Sequence, residues 1–252
     1  MYLIETTETW FNAYVDSFRI NGELAPMLEL KRKHSRRVQK LASAIVEALE
    51  WSEPHDAWTA HAVGLLHDTA RFSQYRDFET FQDSASFDHG ERGAEILEKE
   101  FDWLGIEESE KNKVLTAVRW HNKIAIPPEL PLSAYKWAAL ARDADKIDVF
   151  RMVQHRIENG TIYEMLPRHK KVSGLSPALV DEIRTTGLGS YANARSLQDY
   201  RLIQLTWALD LNFPVSVVTL KDEGIFQKIA DDLRQYEIDD LLDLLMEKID
   251  KI

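Results

Sequence analysis

The chain has 252 residues and a formal net charge of −11 at pH 7. This length fits one large domain or two small ones. The acidic balance argues against an extended nucleic-acid surface or an anionic-membrane surface, because both need a basic excess. It remains compatible with one small anionic substrate, since a few cations in a cleft can outweigh the global field locally.

The sequence contains no cysteine, which excludes a disulfide framework and thiolate chemistry. The first residues, Met1–Glu8, carry acids where a signal peptide needs a positive start, and no apolar run approaches the ~20 residues of a membrane span. We therefore expect a cytoplasmic protein without a membrane partner.

Apolar residues at helical spacing predict three amphipathic helices in the first part of the chain. They run from Thr7 to about Phe18, from Met27 to about Leu49, and from Trp58 to Ala70. His34 falls into the apolar stripe of the second helix. The dipeptide His67-Asp68 stands at the end of the third helix, which we expect Asp56 to cap.

The segment from Arg71 to Phe87 has no clean hydrophobic period and is predicted to be an ordered loop. Loops of this length in a compact domain are usually functional. Asp88 and Glu91 then form a capping box, which predicts a helix beginning at His89.

Two further predicted helices carry polar residues among apolar ones. The helix from Lys111 to Asn122 places His121 on its apolar side. The helix from Trp137 to about Ile157 places Asp145 and Asp148 on one stripe.

Beyond Asn159-Gly160 the chain becomes irregular and basic at Arg168–Lys171. Only the short Val215–Thr219 alternates with a period of two. Further helices are predicted near Pro177–Arg184, Ser196–Leu209 and from Glu223 to the end. The predicted architecture is all-α, with a helical core over residues 1–160 and a helical extension over 161–252 packed on that core.

Six polar residues share these apolar stripes or helix ends: His34, His67, Asp68, His89, His121 and Asp145. Singly, each is explained by a satisfied core histidine or a helix cap. Burying six such groups in one bundle is different, because each unpaired polar group costs roughly 2–7 kcal/mol. Imidazole and carboxylate without sulfur suit Fe, Mn, Co, Ni or Zn. Six ligands exceed one metal that keeps an open position, so a binuclear site bridged by Asp68 is favoured.

The order and spacing of these six residues resemble the ligand series of the HD-domain metal-dependent phosphohydrolase superfamily, over roughly residues 28–150. The resemblance implies an HD-domain helical bundle, to which the helical pattern of the chain adds the C-terminal extension. Within the superfamily the chain is most similar to a bacterial branch known mainly from its sequences, so no substrate identity follows. The supporting segments are Arg71–Gln74, Thr80–Ser84, Asp88-His89, His121-Asn122 and Arg142–Asp148.

The resemblance also implies a division of the ligands. The first metal would be held by His34, His67, Asp68 and Asp145, and the second by His89, His121 and the bridging Asp68. Members of the superfamily that have only the equivalents of His34, His67-Asp68 and Asp145 bind one metal. The additional His89 and His121 of this chain therefore favour two metals. A metal-bridging water would attack a phosphomonoester or a phosphodiester of a nucleotide or small metabolite.

Two other functions remain open. Some HD-type di-iron proteins are oxygenases that cleave C–C or C–P bonds, and a nucleotide-sensing module would bind its ligand at the same site without turnover.

Several charged residues flank the proposed ligands. Arg71 and Lys146 are candidate catalytic residues beside Asp68, because guanidinium and ammonium groups bind phosphate, although each can equally form a surface contact. Asp148 can orient a ligand histidine or form a surface ion pair. Lys31 and Lys33, which flank His34, are predicted to be solvated, with the alternative that a turn either way brings one of them to the site.

The central-segment aromatics are predicted to pack structurally rather than to stack on a base. The C-terminal helices are compatible with covering the cleft or with building a homodimer.

Overall fold

The structure is a computed structural model that describes residues 2–166 and 172–252, so the basic run Arg168–Lys171 lies outside the described residues. Within those ranges the chain forms thirteen α-helices and no strand, apart from an isolated bridge between Ile20 and Glu23. The all-α prediction is confirmed. No helix among the described residues is long and apolar enough to cross a membrane.

The chain divides into two compact units, Met1–Asp148 and Val149–Ile252, and the division falls inside one long helix. The helices of the first unit are α1 (Tyr2–Asp16), α2 (Pro26–Ala48), α3 (Asp56–Leu66), α4 (Thr69–Phe78), α5 (His89–Glu100), α6 (Glu108–Trp120) and the start of α7 (Leu132–Glu158). The packing of residues 161–252 on the core stays a prediction.

The second unit contains the end of α7 and six further helices. These are α8 (Ile162–Met165), α9 (Pro177–Thr186), α10 (Leu197–Trp207), α11 (Pro214–Asp222), α12 (Ile225–Leu233) and α13 (Asp239–Asp250). The alternating stretch Val215–Thr219 lies within α11, which Pro214 begins. A proline at the first helical position favours this outcome, because its fixed φ suits a helix.

Helix α3 is the centre of the first unit. It is apolar on all sides and almost all of its residues are buried, as expected for a helix surrounded by other helices. Gly64 lets it lie against α2, since a Cβ there would stand 2.5 Å from the Gln39 Cα and 2.8 Å from the Val38 carbonyl oxygen. This close approach brings the end of α3 next to the middle of α2.

Helix α1 covers this core with aromatic side chains. Phe11 is fully buried and meets the ring of Phe72 edge-on at 6.1 Å between centroids. The Trp58 indole donates a hydrogen bond to the Thr7 hydroxyl at 3.0 Å.

The predicted third helix is interrupted, and the predicted loop after it is partly wrong. Helix α3 ends at Leu66, and α4 begins at Thr69 and occupies much of the segment expected to be irregular. The buried face of α4 contains the polar Gln74, so the sequence shows no regular apolar period there. The Gln74 amide is buried without penalty because it donates hydrogen bonds to Asp83 and Ser86. The helix ends where Glu79 adopts a left-handed conformation with φ 53°.

Asp56 is also placed differently from the expectation. It is the first residue of α3 rather than its cap, and its carboxylate accepts a hydrogen bond from the Glu53 amide at 3.0 Å.

Candidate metal centre

The first pair of histidines meets where α3 ends beside α2. His34 projects from the middle of α2, and His67 is the residue that follows α3. Both side chains are buried, and their Nε2 atoms lie 3.2 Å apart. The two helices approach each other closely at Gly64, three residues before His67.

The second pair lies at the ends of α5 and α6. His89 is the first residue of α5, where the Asp88 carboxylate caps the helix by accepting from the Glu91 amide at 3.0 Å. This confirms the predicted position of the cap. His121 follows α6, and its Nε2 lies 3.1 Å from that of His89.

Asp68 lies between the two pairs. Its Oδ2 is 3.4 Å from the Nε2 atoms of both His34 and His67. Its Oδ1 is 3.6 Å from His89 Nε2 and 3.8 Å from His121 Nε2. Each carboxylate oxygen therefore faces one histidine pair, which is the arrangement required of a bridging ligand.

Asp145, on α7, belongs with the first pair. Its Oδ1 lies 3.1 Å from His34 Nε2 and 3.9 Å from His67 Nε2. The structure thus brings together all six residues singled out in the sequence.

The opposite ring nitrogens show which tautomer each histidine adopts. The Nδ1 of His67 lies 2.8 Å from the Gly64 carbonyl, and that of His121 lies 2.7 Å from the Val118 carbonyl. A carbonyl oxygen only accepts, so each Nδ1 carries the proton and donates it. Each neutral ring then directs the lone pair of Nε2 to the centre.

Carboxylates hold the other two rings in the same way. His34 Nδ1 donates to Asp148 Oδ2 at 2.7 Å, and His89 Nδ1 donates to Asp83 Oδ2 at 2.6 Å. Such outer partners fix the tautomer and orientation of histidines that bind metals.

This donor set fits divalent metal ions. Two Nε2 lone pairs at about 3 Å repel each other unless a cation or a hydrogen-bond donor lies between them. Asp68 belongs to two groups of possible metal ligands, one with His34 and His67 and the other with His89 and His121. In each group the ligand atoms, one from each residue, lie within 4.8 Å of one another. Nitrogen and oxygen donors of this kind suit first-row transition metals.

Burial and neighbouring charges set the protonation of these groups. Burial lowers the pKa of His67, and burial with the nearby Arg71 guanidinium lowers the pKa of His89 to about 4. Burial opposes the ionisation of Asp68, but the Lys31 ammonium and His67 hold its pKa well below the usual range. Neutral imidazoles and an ionised carboxylate are the forms that bind metals.

His34 behaves differently. Burial and the Lys31 ammonium oppose its protonation, but hydrogen bonds to Asp145 and Asp148 raise its pKa. A metal ion at the first pair would therefore compete with a proton on His34.

Two cations stand beside Asp68. The sequence left both this place and a surface contact open for the Arg71 guanidinium, and its Nε lies 3.4 Å from Asp68 Oδ1. Lys31 was expected to be solvated, and this was wrong: its Nζ lies 2.6 Å from Asp68 Oδ2, and the side chain is 16% exposed. Lys31 is one helical turn before His34, so both share a face of α2. Lys33 points elsewhere and is 63% exposed beside Glu29.

Asp148 and Asp83 complete the surroundings. Asp148 orients His34, as one of the two alternatives foresaw, and it also accepts from the Arg37 guanidinium of α2 at 2.6 and 2.9 Å. Because Asp148 is buried, this contact joins two helices and is not the surface ion pair of the other alternative. Asp83 was not recognised as a site residue. It lies outside any apolar period, and the only signal was its place in the Thr80–Ser84 motif.

Lys146 is half-buried on α7 directly after Asp145. Its role stays a prediction.

Comparison with known families agrees with this geometry. Residues 32–153 match the family model of the HD domain, a range that contains all six residues of the centre. No curated protein and no solved structure gives a significant match to the chain. Residues 32–153, just under half of the chain, therefore form an HD domain.

Proposed function

We propose that this protein is a metal-dependent phosphohydrolase that cleaves a phosphomonoester or phosphodiester, with a nucleotide or a related small metabolite as its substrate. HD domains are mostly metal-dependent hydrolases and bind divalent metals. The finer assignment rests on this chain's own residues. We further propose a binuclear centre of two divalent transition metals, drawn from Fe, Mn, Co, Ni and Zn.

One observation carries the proposal: two pairs of facing Nε2 atoms lie on opposite oxygens of the same buried carboxylate, Asp68. His34 and His67, with Asp145, would hold one ion. His89 and His121 would hold the other. A single structural histidine does not need a facing histidine or a shared carboxylate. A pair of bound ions, by contrast, would accept the lone pair of every buried Nε2 atom and carboxylate oxygen in the cluster.

Bound ions of this kind supply a water of lowered pKa and a Lewis acid for a phosphoryl oxygen. The protein contributes the fixed geometry. Asp148 and Asp83 hold two imidazole rings by Nδ1, so their Nε2 atoms cannot turn away. Arg71 is fixed by the carboxylate of Asp83 at 2.9 Å and places a guanidinium next to Asp68, where charge on a phosphoryl group can be neutralised.

The test combines metal analysis with a substrate panel. Protein purified without chelator should contain close to two transition-metal ions per chain and should hydrolyse a chromogenic phosphate ester, a nucleotide or a phosphodiester in the panel. Asp68→Ala should lose both the metal and the activity. The matched control is Asp77→Ala, which removes an exposed carboxylate paired with Arg76 and should change neither.

Turnover by a metal-free Asp68→Ala sample would contradict the proposal. Circular dichroism of Asp68→Ala and Asp77→Ala separates loss of metal from loss of fold. Iron content with O₂ uptake on a polyol or phosphonate would indicate oxygenation instead. Ligand-dependent thermal stabilisation without product would indicate a sensing module.

A further inference from the structure

We propose that Lys31 is a substrate-binding residue of this centre, which with Arg71 forms a pair of cations that hold a phosphoryl group beside Asp68. This inference rests on the proposed phosphohydrolase function and specifies how its substrate is held. We call Lys31 and Arg71 the phosphate clamp.

The position of Lys31 is the first step. It lies on the His34 face of α2, and its ammonium is directed inward to Asp68 Oδ2 at 2.6 Å. A lysine head group withdrawn from water loses hydration, which long side chains normally avoid by extending to the solvent. Lys33, two residues further along the same helix, does extend to the solvent.

Arg71 occupies the matching position on the other side of Asp68. One of its terminal nitrogens donates to Gln74 Oε1 at 2.7 Å, to the Phe81 carbonyl at 2.5 Å and to Asp83 Oδ1 at 2.9 Å. The guanidinium is therefore anchored. Its Nε is buried near Asp68 without a hydrogen-bond partner.

Phe81 joins the two cations. The Lys31 Nζ lies 5.4 Å from the centroid of its ring, and the guanidinium carbon of Arg71 lies 5.8 Å from the same centroid. Both distances lie in the cation–π range. One aromatic ring thus positions two positive charges, each beside a different oxygen of one carboxylate.

This arrangement has more donors than Asp68 can use. Of the three N–H groups of Lys31, one is taken by Asp68, and the side chain has no other hydrogen bond within the described residues. Metal ions on Asp68 would neutralise the charge that now attracts Lys31. A phosphoryl group offers several acceptor oxygens to these donors, and a phosphomonoester carries about 1.5 to 2 negative charges at neutral pH, which two cations can match.

The test measures the binding of inorganic phosphate to the metal-saturated protein by isothermal titration calorimetry, a readout that requires no turnover. Loss of a hydrogen bond to a charged group weakens binding by about tenfold to a hundredfold, and we expect this for Lys31→Met and Lys31→Gln. Lys31→Arg, which keeps the charge, should bind phosphate more tightly than either. Lys33→Met is the matched control, because it removes an exposed lysine from the same helix, and its dissociation constant should equal that of the wild type.

Two results would overturn the inference. The first is no phosphate binding by the metal-saturated wild type. The second is equal phosphate affinity of wild type, Lys31→Met and Lys31→Gln at equal metal content, which would assign Lys31 only to the neutralisation of Asp68. The second result leaves the proposed function standing. Lys31-dependent phosphate binding without hydrolysis of any ester would support the clamp and contradict the phosphohydrolase.

Discussion

The substitution Gly64→Ala tests how the first histidine pair is built. A Cβ at this position would lie 2.5 Å from the Gln39 Cα, 2.8 Å from the Val38 carbonyl oxygen and 2.9 Å from the Gln39 amide nitrogen. All three atoms belong to the backbone of α2. No side-chain rotation relieves these contacts, so α2 and α3 must separate by about 1 Å to reach ordinary van der Waals distance.

Two opposing effects determine the magnitude. Overpacking of this kind costs about 1–3 kcal/mol, and we expect the upper end because backbone atoms are involved. Alanine in place of glycine within a helix stabilises the helix by about 1 kcal/mol, because alanine has the higher helix propensity. The free energy of unfolding should therefore fall by about 2 kcal/mol. Metal affinity should fall as well, because separation of the helices moves His67 away from His34, whose Nε2 atoms now lie 3.2 Å apart.

Urea denaturation in the presence of EDTA measures the stability change without a metal contribution. Gly93→Ala is the matched control, since Gly93 also lies inside a helix, α5, and gains the same helix propensity. Its Cβ would meet a side-chain methyl of Val118 at 3.0 Å, whereas the nearest backbone atom, the Ala70 amide nitrogen, lies at 3.7 Å. We expect Gly93→Ala to lose less than Gly64→Ala.

The refuting result is a Gly64→Ala protein that is as stable as the wild type in EDTA and binds metal equally well. It would mean that α2 and α3 adjust freely and that their close approach does not set the histidine pair.

Three other predictions follow from the same contacts. Asp148→Asn should lower metal affinity by about 10- to 100-fold in a chelator competition assay, because His34 loses its charged outer partner; unchanged affinity would limit Asp148 to its pair with Arg37. Removal of metal with EDTA should lower the melting temperature and readdition should restore it, whereas an unchanged melting temperature with demonstrated binding would exclude a link between the site and the folded state. Burial lowers the pKa of His61 in the folded protein despite the adjacent Glu8, so the unfolded chain binds more protons at this residue than the folded chain does. The neutral imidazole therefore contributes stability above pH ~6.5, the pKa of an unperturbed histidine, and this contribution should be lost as the pH falls through the lower pKa of the folded state. The loss on acidification should be smaller in His61→Gln in urea titrations at several pH values, and an identical loss would contradict the assignment.

The convergence of the six polar residues could be predicted from sequence because each lies in or at the end of an apolar stripe. His34 interrupts the stripe of α2, and the Asp88 cap places His89 at the start of α5. Periodicity shows which face of a helix is buried, and a polar residue on that face must lie in the core. The helix boundaries were less well predicted, because capping and tertiary contacts decide the last turn.

Helix α4 escaped prediction because its buried face is held by polar contacts instead of apolar packing. Gln74 is fully buried, and its amide donates to Asp83 Oδ1, the Ser86 hydroxyl and the Phe87 carbonyl. All three acceptors lie in the segment that follows the helix. A search for apolar periods does not detect a helix that is stabilised in this way.

The position of Lys31 could not be decided from sequence either. The spacing of three residues to His34 was visible, but Lys33 lies even closer in the chain, directly before His34. Which lysine turns inward depends on Asp68, 37 residues away, through the ion pair that Lys31 forms with it. An isolated carboxylate in the core is costly, and a cation from whichever face is near enough relieves that cost.

The two histidine pairs are alike around Asp68 but have different supports, and this difference links metal binding to the phosphate clamp. His34 is held by Asp148 on the long helix α7, whereas His89 is held by Asp83 in the segment after α4. Asp83 also forms an ion pair with Arg71. Burial opposes the ionisation of the Asp83 carboxyl, but His89 and Arg71 together hold its pKa below the usual range. Since one carboxylate contacts both His89, a ligand of the proposed second ion, and Arg71, a cation of the proposed clamp, displacement of the segment would disturb both. The second pair and the clamp should therefore respond together to changes in this segment, while the first pair responds to the packing of α2 against α3.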